Sequence, residues 1–109
     1  MRTSQNTHDL VTGDAKTLLV TLIRGSTPFV IPTGSNVRAI LQNSKMVSPA
    51  TCAEAEPGAN WAVGLVAIPF PSAVTALLSP GKFVLEIQVQ GVDTWFFDSI
   101  VVRRGTISD

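Results

Sequence analysis

The 109-residue chain has one cysteine, Cys52, and one histidine, His8. A single thiol can close no intramolecular disulfide, so the covalent stapling of small extracellular scaffolds is excluded. With the histidine far off in a terminal segment, no Ser/His/acid set can be assembled. Cys52 has no partner nearby and reads as an inert, partly buried side chain rather than a reactive thiol. Paired cysteines for zinc are missing, as is a glycine-rich loop followed by lysine for phosphate. The residues therefore imply no cofactor, no metal and no enzyme.

Charge is scarce as well. Only 15% of the residues are charged, and eight basic side chains balance eight acidic ones. A nucleic-acid binder working through the phosphate backbone needs a basic face, and a membrane-surface binder needs a polybasic patch, so neither partner is expected. No apolar run approaches the roughly 20 residues of a membrane-spanning helix. The opening residues 1 to 9 lack the apolar stretch of a secretory signal, which predicts synthesis in a cytoplasm. A hydrophobic share of 45% on a neutral chain instead predicts self-association. The length suits one domain that removes about 65% of its unfolded surface from water, enough for a core without staples.

What the chain does have is strand pattern. Residues 81 to 103 form two β-type runs joined by Gly91-Val92-Asp93. Phe83, Leu85, Ile87 and Val89 alternate with Lys82, Glu86, Gln88 and Gln90, the two-residue period of a strand with one face in a core. Four of the seven aromatic residues, Phe83, Trp95, Phe96 and Phe97, lie in this hairpin. In its second run Trp95 and Phe97 take one face, and Phe96, Asp98, Ile100 and Val102 the other. Asp98 then stands among apolar neighbours, so either a bulge re-aims it or it pairs with Arg38, Arg103 or Arg104; an ion pair is preferred to a ligand site.

Ahead of the hairpin, residues 1 to 14 are polar apart from Met1 and the Leu10-Val11 pair and read as an extended N-terminal arm, held by its own domain or by a neighbouring subunit. Residues 17 to 23 form the first strand, with Leu18, Val20 and Leu22 on one face and Leu19 and Ile23 on the other. Turns at 24 to 28 and 32 to 36 enclose a short Phe29-Val30-Ile31 segment. Residues 36 to 43 follow as a strand, with Val37, Ala39 and Leu41 inward and Arg38, Ile40 and Gln42 outward. Met46-Val47 and Thr51-Cys52-Ala53 make a weak strand on either side of Pro49, which confines it to an edge. Glu54 and Glu56, without a histidine or a third acid, read as solvated loop carboxylates. The apolar run 61 to 70 has strand length and is stopped by Pro69 and Pro71. Residues 72 to 78 carry Val74, Leu77 and Leu78 at helical spacing, with Ser72 as N-cap. Gly34, Gly81, Gly91 and Gly105 stand singly at turns, where positive φ explains them. Residues 105 to 109 are a C-terminal tail.

Six or seven short strands, one short helical turn at about residues 72 to 78, and no alternating βα units predict an all-β sandwich spanning residues 15 to 104. The order of elements resembles a known family. Gly13-Asp14-Ala15-Lys16-Thr17-Leu18-Leu19-Val20 entering a first strand, Gly34 before Val37-Arg38-Ala39-Ile40-Leu41, the apolar strand after Trp61, the helical turn before Ser79-Pro80-Gly81-Lys82-Phe83, and the closing aromatic pair of strands are similar to the Ig-like N-terminal domain of phage baseplate upper proteins and related tailed-phage virion domains. The resemblance covers roughly residues 13 to 104. It implies an Ig-like antiparallel β-sandwich in a virion, in contact with capsid or tail proteins and with copies of itself. In that family the domain introduces a longer protein. If residues 1 to 109 are the whole product, the expectation is a small accessory subunit, such as a capsid decoration (cement) protein or a head-tail or baseplate adaptor.

Assembly would proceed by burial of outward apolar surface, with Leu10, Val11, Leu19, Ile23, Ile40, Val84 and Phe96 as the interface residues. The rival reading is a carbohydrate- or peptide-binding module, which requires Trp61 or Trp95 exposed in a groove beside polar side chains.

Overall fold

The structure, a computed structural model, describes residues 8 to 104. Residues 1 to 7 of the expected arm and the 105 to 109 tail, Gly105 included, lie outside the described residues. Among the described residues nine strands run in chain order: β1 (His8–Val11), β2 (Lys16–Thr21), β3 (Ile23–Arg24), β4 (Thr27–Pro28), β5 (Val37–Gln42), β6 (Val47–Cys52), β7 (Leu65–Phe70), β8 (Gly81–Val89) and β9 (Asp93–Arg103). A single-turn helix, α1 (Ser72–Thr75), links β7 to β8. Seven of the strands have four residues or more. One layer is a five-stranded sheet in the order β1-β9-β8-β5-β6; the other is the β2-β7 pair, and β3-β4 form a small hairpin. The β9-β8-β5 trio with β6 beside it, facing β2-β7, is the Ig-like arrangement of a sandwich. All pairings are antiparallel except β1 with β9.

Alternation explains the core. Leu18 and Val20 of β2, Val37, Ala39 and Leu41 of β5, Val66 and Ile68 of β7, and Phe83, Leu85, Ile87 and Val89 of β8 all turn inward and are buried. The β8-β9 hairpin forms as the alternation predicts, with Val89 opposite Asp93 across the turn.

The face assignment of β9 needs correction. Phe83 pairs with Ile100 but Leu85 pairs with Phe97, so two residues of β9, Asp98 and Ser99, stand opposite Val84 alone. This bulge shifts the phase of the strand by one residue. Ile100 and Val102 are therefore buried on the same side as the half-buried Trp95 and Phe97. The bulge leaves Asp98 exposed, and among the described residues it makes no ion pair with Arg38, Arg103 or Arg104.

The arm is the second correction. From His8 onward it is a strand of the five-stranded sheet, lying parallel to β9 in the register Leu10 to Val102. Leu10 is fully buried. Thr12 N–H continues the ladder by donating to the Arg103 carbonyl at 2.9 Å. The sandwich thus includes residues 8 to 11 and not only residues from 15 onward, because the buried Leu10 anchors a strand that closes a sheet edge. Thr75, completely buried, fixes the following turn: its hydroxyl donates to the Asp14 carbonyl at 2.9 Å and accepts from Gly13 N–H at 3.1 Å.

In the short segment 29 to 31, Phe29 N–H donates to Leu22 C=O and Ile31 N–H to Trp61 C=O, which plugs Ile31 into the core. Two local expectations also shift. Trp61–Val63 is a 3-10 turn ended by Gly64 at φ 76, so the strand starts only at Leu65. Pro71, not Ser72, caps α1. Pro49 lies inside β6, at the sheet edge where a missing N–H is tolerated.

Candidate interaction face

The outer surface of the five-stranded sheet is the most distinctive surface of the domain. Cross-strand register sets its rows. Phe96 of β9, Glu86 of β8, Ile40 of β5 and Pro49 of β6 stand in one row. The next row carries Thr94, Gln88, Arg38 and Thr51, and the row on the other side carries Val84, Gln42 and Val47. Phe96 is 65% exposed and Val47 61%, and Ile40 and Val84 are half-buried. Apolar side chains at Phe96, Val84, Ile40, Val47 and Pro49 on one solvent-facing sheet surface are unusual, because that face of an antiparallel sheet is ordinarily polar.

Between β6, β5 and β8 the face sinks into a depression of about 320 Å³ lined by Arg38, Ile40, Pro49, Thr51, Glu86 and Gln88 among others. Its two charged groups are tied to neutral amides. Arg38 Nη2 donates to Gln88 Oε1 at 2.9 Å, and Gln42 Nε2 donates to Glu86 Oε1 at 3.0 Å. The ion pairs among the described residues lie elsewhere. Arg103 meets Asp9 at 3.0 Å at the β1 edge, and Arg24 meets Asp93 at 3.2 Å at the far end of the sheet.

The expected interface residues divide by location. Ile40, Val84 and Phe96 come together on this face. Leu19, 44% exposed, lies on the opposite layer, where the loop carrying Gly58 packs against its side chain. Ile23, 51% exposed, sits in the β3-β4 hairpin, and Val11 lines the β1 edge opposite Arg103. Leu10 belongs to the core and offers nothing to a partner. Arg38 and Glu86, outward as alternation in their own strands predicts, and Val47 and Pro49 complete the face; that the four share one surface was not anticipated. Their signal is the pairing of β6 and β8 with β5, which no single strand displays.

The other candidate residues have structural places. Trp61 is only 4% exposed. Trp95 is half-buried, its ring centroid 5.2 Å from that of Phe29 and its Nε1 donating to Ile23 C=O at 2.9 Å. Arg24 lies over the Phe29 ring at 5.0 Å, so this cluster locks the β3-β4 hairpin to the sheet. Asp93 accepts from Thr94 N–H and from Arg24, which together hold its carboxyl below the usual range. Burial, with Glu56 second, pushes the Cys52 thiol up to about 12, so it stays protonated and unreactive at neutral pH. Glu54 accepts from the Thr33 hydroxyl at 2.9 Å. Among the described residues no group of three or more His, Cys, Asp or Glu is placed to hold a metal ion, and no helix is long and apolar enough to cross a membrane.

No protein-family model matches the chain, and no curated protein matches it. Among solved structures the fold is similar to part of the crystal structure of a candidate glycoside hydrolase from Bacteroides vulgatus, with a TM-score of 0.50 and 12% identity. The match covers 91% of this chain and 17% of that one, a likeness that speaks to the fold alone.

Proposed function

We propose that the protein is a non-enzymatic structural subunit of a tailed-phage particle, made in the host cytoplasm and incorporated in the virion as a capsid decoration (cement) or head-tail or baseplate accessory protein. The observation that carries the assembly role is the set of outward apolar side chains Phe96, Val84, Ile40, Val47 and Pro49, spread over four strands of the larger sheet with Glu86 between Phe96 and Ile40. The function follows from burial: apolar area removed from water contributes roughly 25 cal/mol per Å², and a stable interface covers on the order of 1,200 to 2,000 Å² in total. The phage setting is supported by the resemblance carried by residues 13 to 104.

The rival carbohydrate module needs an exposed tryptophan. Trp61 lies in the core and Trp95 is occupied by Phe29 and the Ile23 carbonyl, which favours the assembly reading. The name of the Bacteroides structure belongs to a chain of which 17% is matched, and at 12% identity it brings no site residue here.

Mass spectrometry of particles purified on a density gradient from the producing cells is expected to find this chain at a fixed ratio to the major capsid or tail protein. Particles that lack it, with the protein left wholly in the soluble fraction, overturn the virion assignment.

A further inference from the structure

We propose that the partner seated on the outer sheet face is a second copy of this chain, joined isologously by two reciprocal Arg38–Glu86 ion pairs. The inference rests on the assembly reading above and specifies how the face is used.

Arg38 and Glu86 sit on adjacent strands, one row apart. Ile40 pairs with Glu86 and Arg38 with Gln88, so the two charges occupy opposite corners of a four-residue patch completed by Ile40 and Gln88. Diagonal neighbours of this kind are about 7–8 Å apart. The two charges are not paired with each other: the ion pairs among the described residues are Arg24 with Asp93 and Arg103 with Asp9. Instead each bonds to a neutral glutamine on the facing strand. The amides fix both side chains at the rim of the depression and, among the described residues, leave one positive and one negative charge uncompensated beside the half-buried Ile40.

Such a patch is self-complementary. A two-fold axis parallel to the sheet, over its outer face and perpendicular to the Arg38–Glu86 diagonal at its midpoint, turns a second copy face to face with the first. It sets Arg38 of each copy opposite Glu86 of the other, with Ile40 near the axis close to its own counterpart. In an isologous interface the same patch appears on both sides and each contact occurs twice. Phe96, which flanks Glu86, and Pro49, which flanks Ile40, extend the apolar contact on either side. A neutral chain adds no long-range repulsion between copies. A charged peptide or a polyanion would find only one of the two charges useful; the same chain satisfies both.

The test is a reciprocal charge exchange read by light scattering after size exclusion. Arg38→Glu alone sets two carboxylates against each other at both contacts, and Glu86→Arg alone sets two guanidinium groups against each other. Each single variant is therefore expected to run at half the wild-type mass at the same concentration. In an equimolar mixture, the carboxylate introduced at position 38 of one copy meets the guanidinium introduced at position 86 of the other. The second contact of that mixed pair is the native one, Glu86 with Arg38, so the mixture is expected to recover the dimer mass. Circular dichroism of each variant controls for folding, since both side chains are on the surface. Single variants that keep the wild-type mass, or a mixture that stays monomeric, overturn the proposal. Phe96→Asp separates this failure from failure of the assembly reading: if it dissociates the protein while the charge variants do not, the face is still the interface and only the ion-pair geometry is wrong. A wild-type protein that is monomeric throughout overturns this proposal, whereas the assembly reading fails only if purified particles lack the chain.

Discussion

Leu10→Ala is expected to lower the free energy of unfolding by about 2–5 kcal/mol, the range for truncating a fully buried leucine. Against a total of about 5–15 kcal/mol for a domain, that is a large share from a residue whose polar neighbours place it in a dispensable arm. The reason is geometric. Leu10 is completely buried, and its strand closes the free edge of β9 in parallel register, so removing the side chain leaves a cavity under the last strand of the sheet. Urea unfolding followed by circular dichroism measures it as a drop in midpoint with an unchanged slope. A loss below about 1 kcal/mol would mean that β1 contributes little to the domain, and that residues 8 to 11 behave as the arm their polarity suggests. Deleting residues 1 to 14 is accordingly expected to unfold the domain, not merely weaken its assembly.

Gly64→Ala is expected to cost on the order of 3 kcal/mol or more, from two effects that add. Gly64 has φ +76, where a residue with a Cβ carries about 1–3 kcal/mol of backbone strain. A Cβ there would also lie 2.7 Å from the Phe29 carbonyl oxygen and 2.8 Å from that of Leu22. Both obstacles are backbone, so no side chain can swing aside. The Leu22 carbonyl accepts from Phe29 N–H and Leu22 N–H donates to the Gly64 carbonyl. Making room therefore disturbs the contacts that seat the segment after β4 against the start of β7. Gly91→Ala is the matched control, with φ +79 and nothing within 4 Å of the added carbon; it bears only the conformational part. Thermal unfolding of the two variants side by side is expected to show the Gly64 variant melting clearly lower. Equal midpoints would mean that close approach at Gly64 adds nothing.

How much of this was legible in the sequence depends on whether the signal is local. The β8-β9 hairpin and β5 carry strict alternation with a marked turn, and their inward residues are those the period selects. The β9 bulge was legible only as one of two alternatives at Asp98, because Asp98 and Ser99 occupy one pairing position only by virtue of what β8 offers opposite them. β1 was not legible: a parallel edge strand is specified by its partner's register, and four residues around one leucine have no period to show. The apolar run 61 to 70 misled for a different reason. Apolarity alone does not distinguish a buried 3-10 turn from a strand, and Gly64 supplied the break.

The same distinction holds for the candidate face. Ile40, Val84 and Phe96 could be assigned outward from alternation within their own strands. That they form one surface with Pro49 and Val47, around an Arg38 and a Glu86 not paired with each other, follows only from the β9-β8-β5-β6 order. Leu19 and Ile23 were outward as expected, yet they lie away from this face, because β2 belongs to the other layer and β3 to a separate hairpin.

Whether the outer face of the five-stranded sheet joins copies of this chain is decided by the solution mass of wild type and Phe96→Asp across a dilution series, by light scattering after size exclusion. The expected result is a wild-type dimer or higher oligomer that persists on dilution, beside a Phe96→Asp variant that is folded but monomeric. A wild-type monomer at every concentration, or a Phe96→Asp variant that associates as wild type does, would show that this face joins no second copy of this chain.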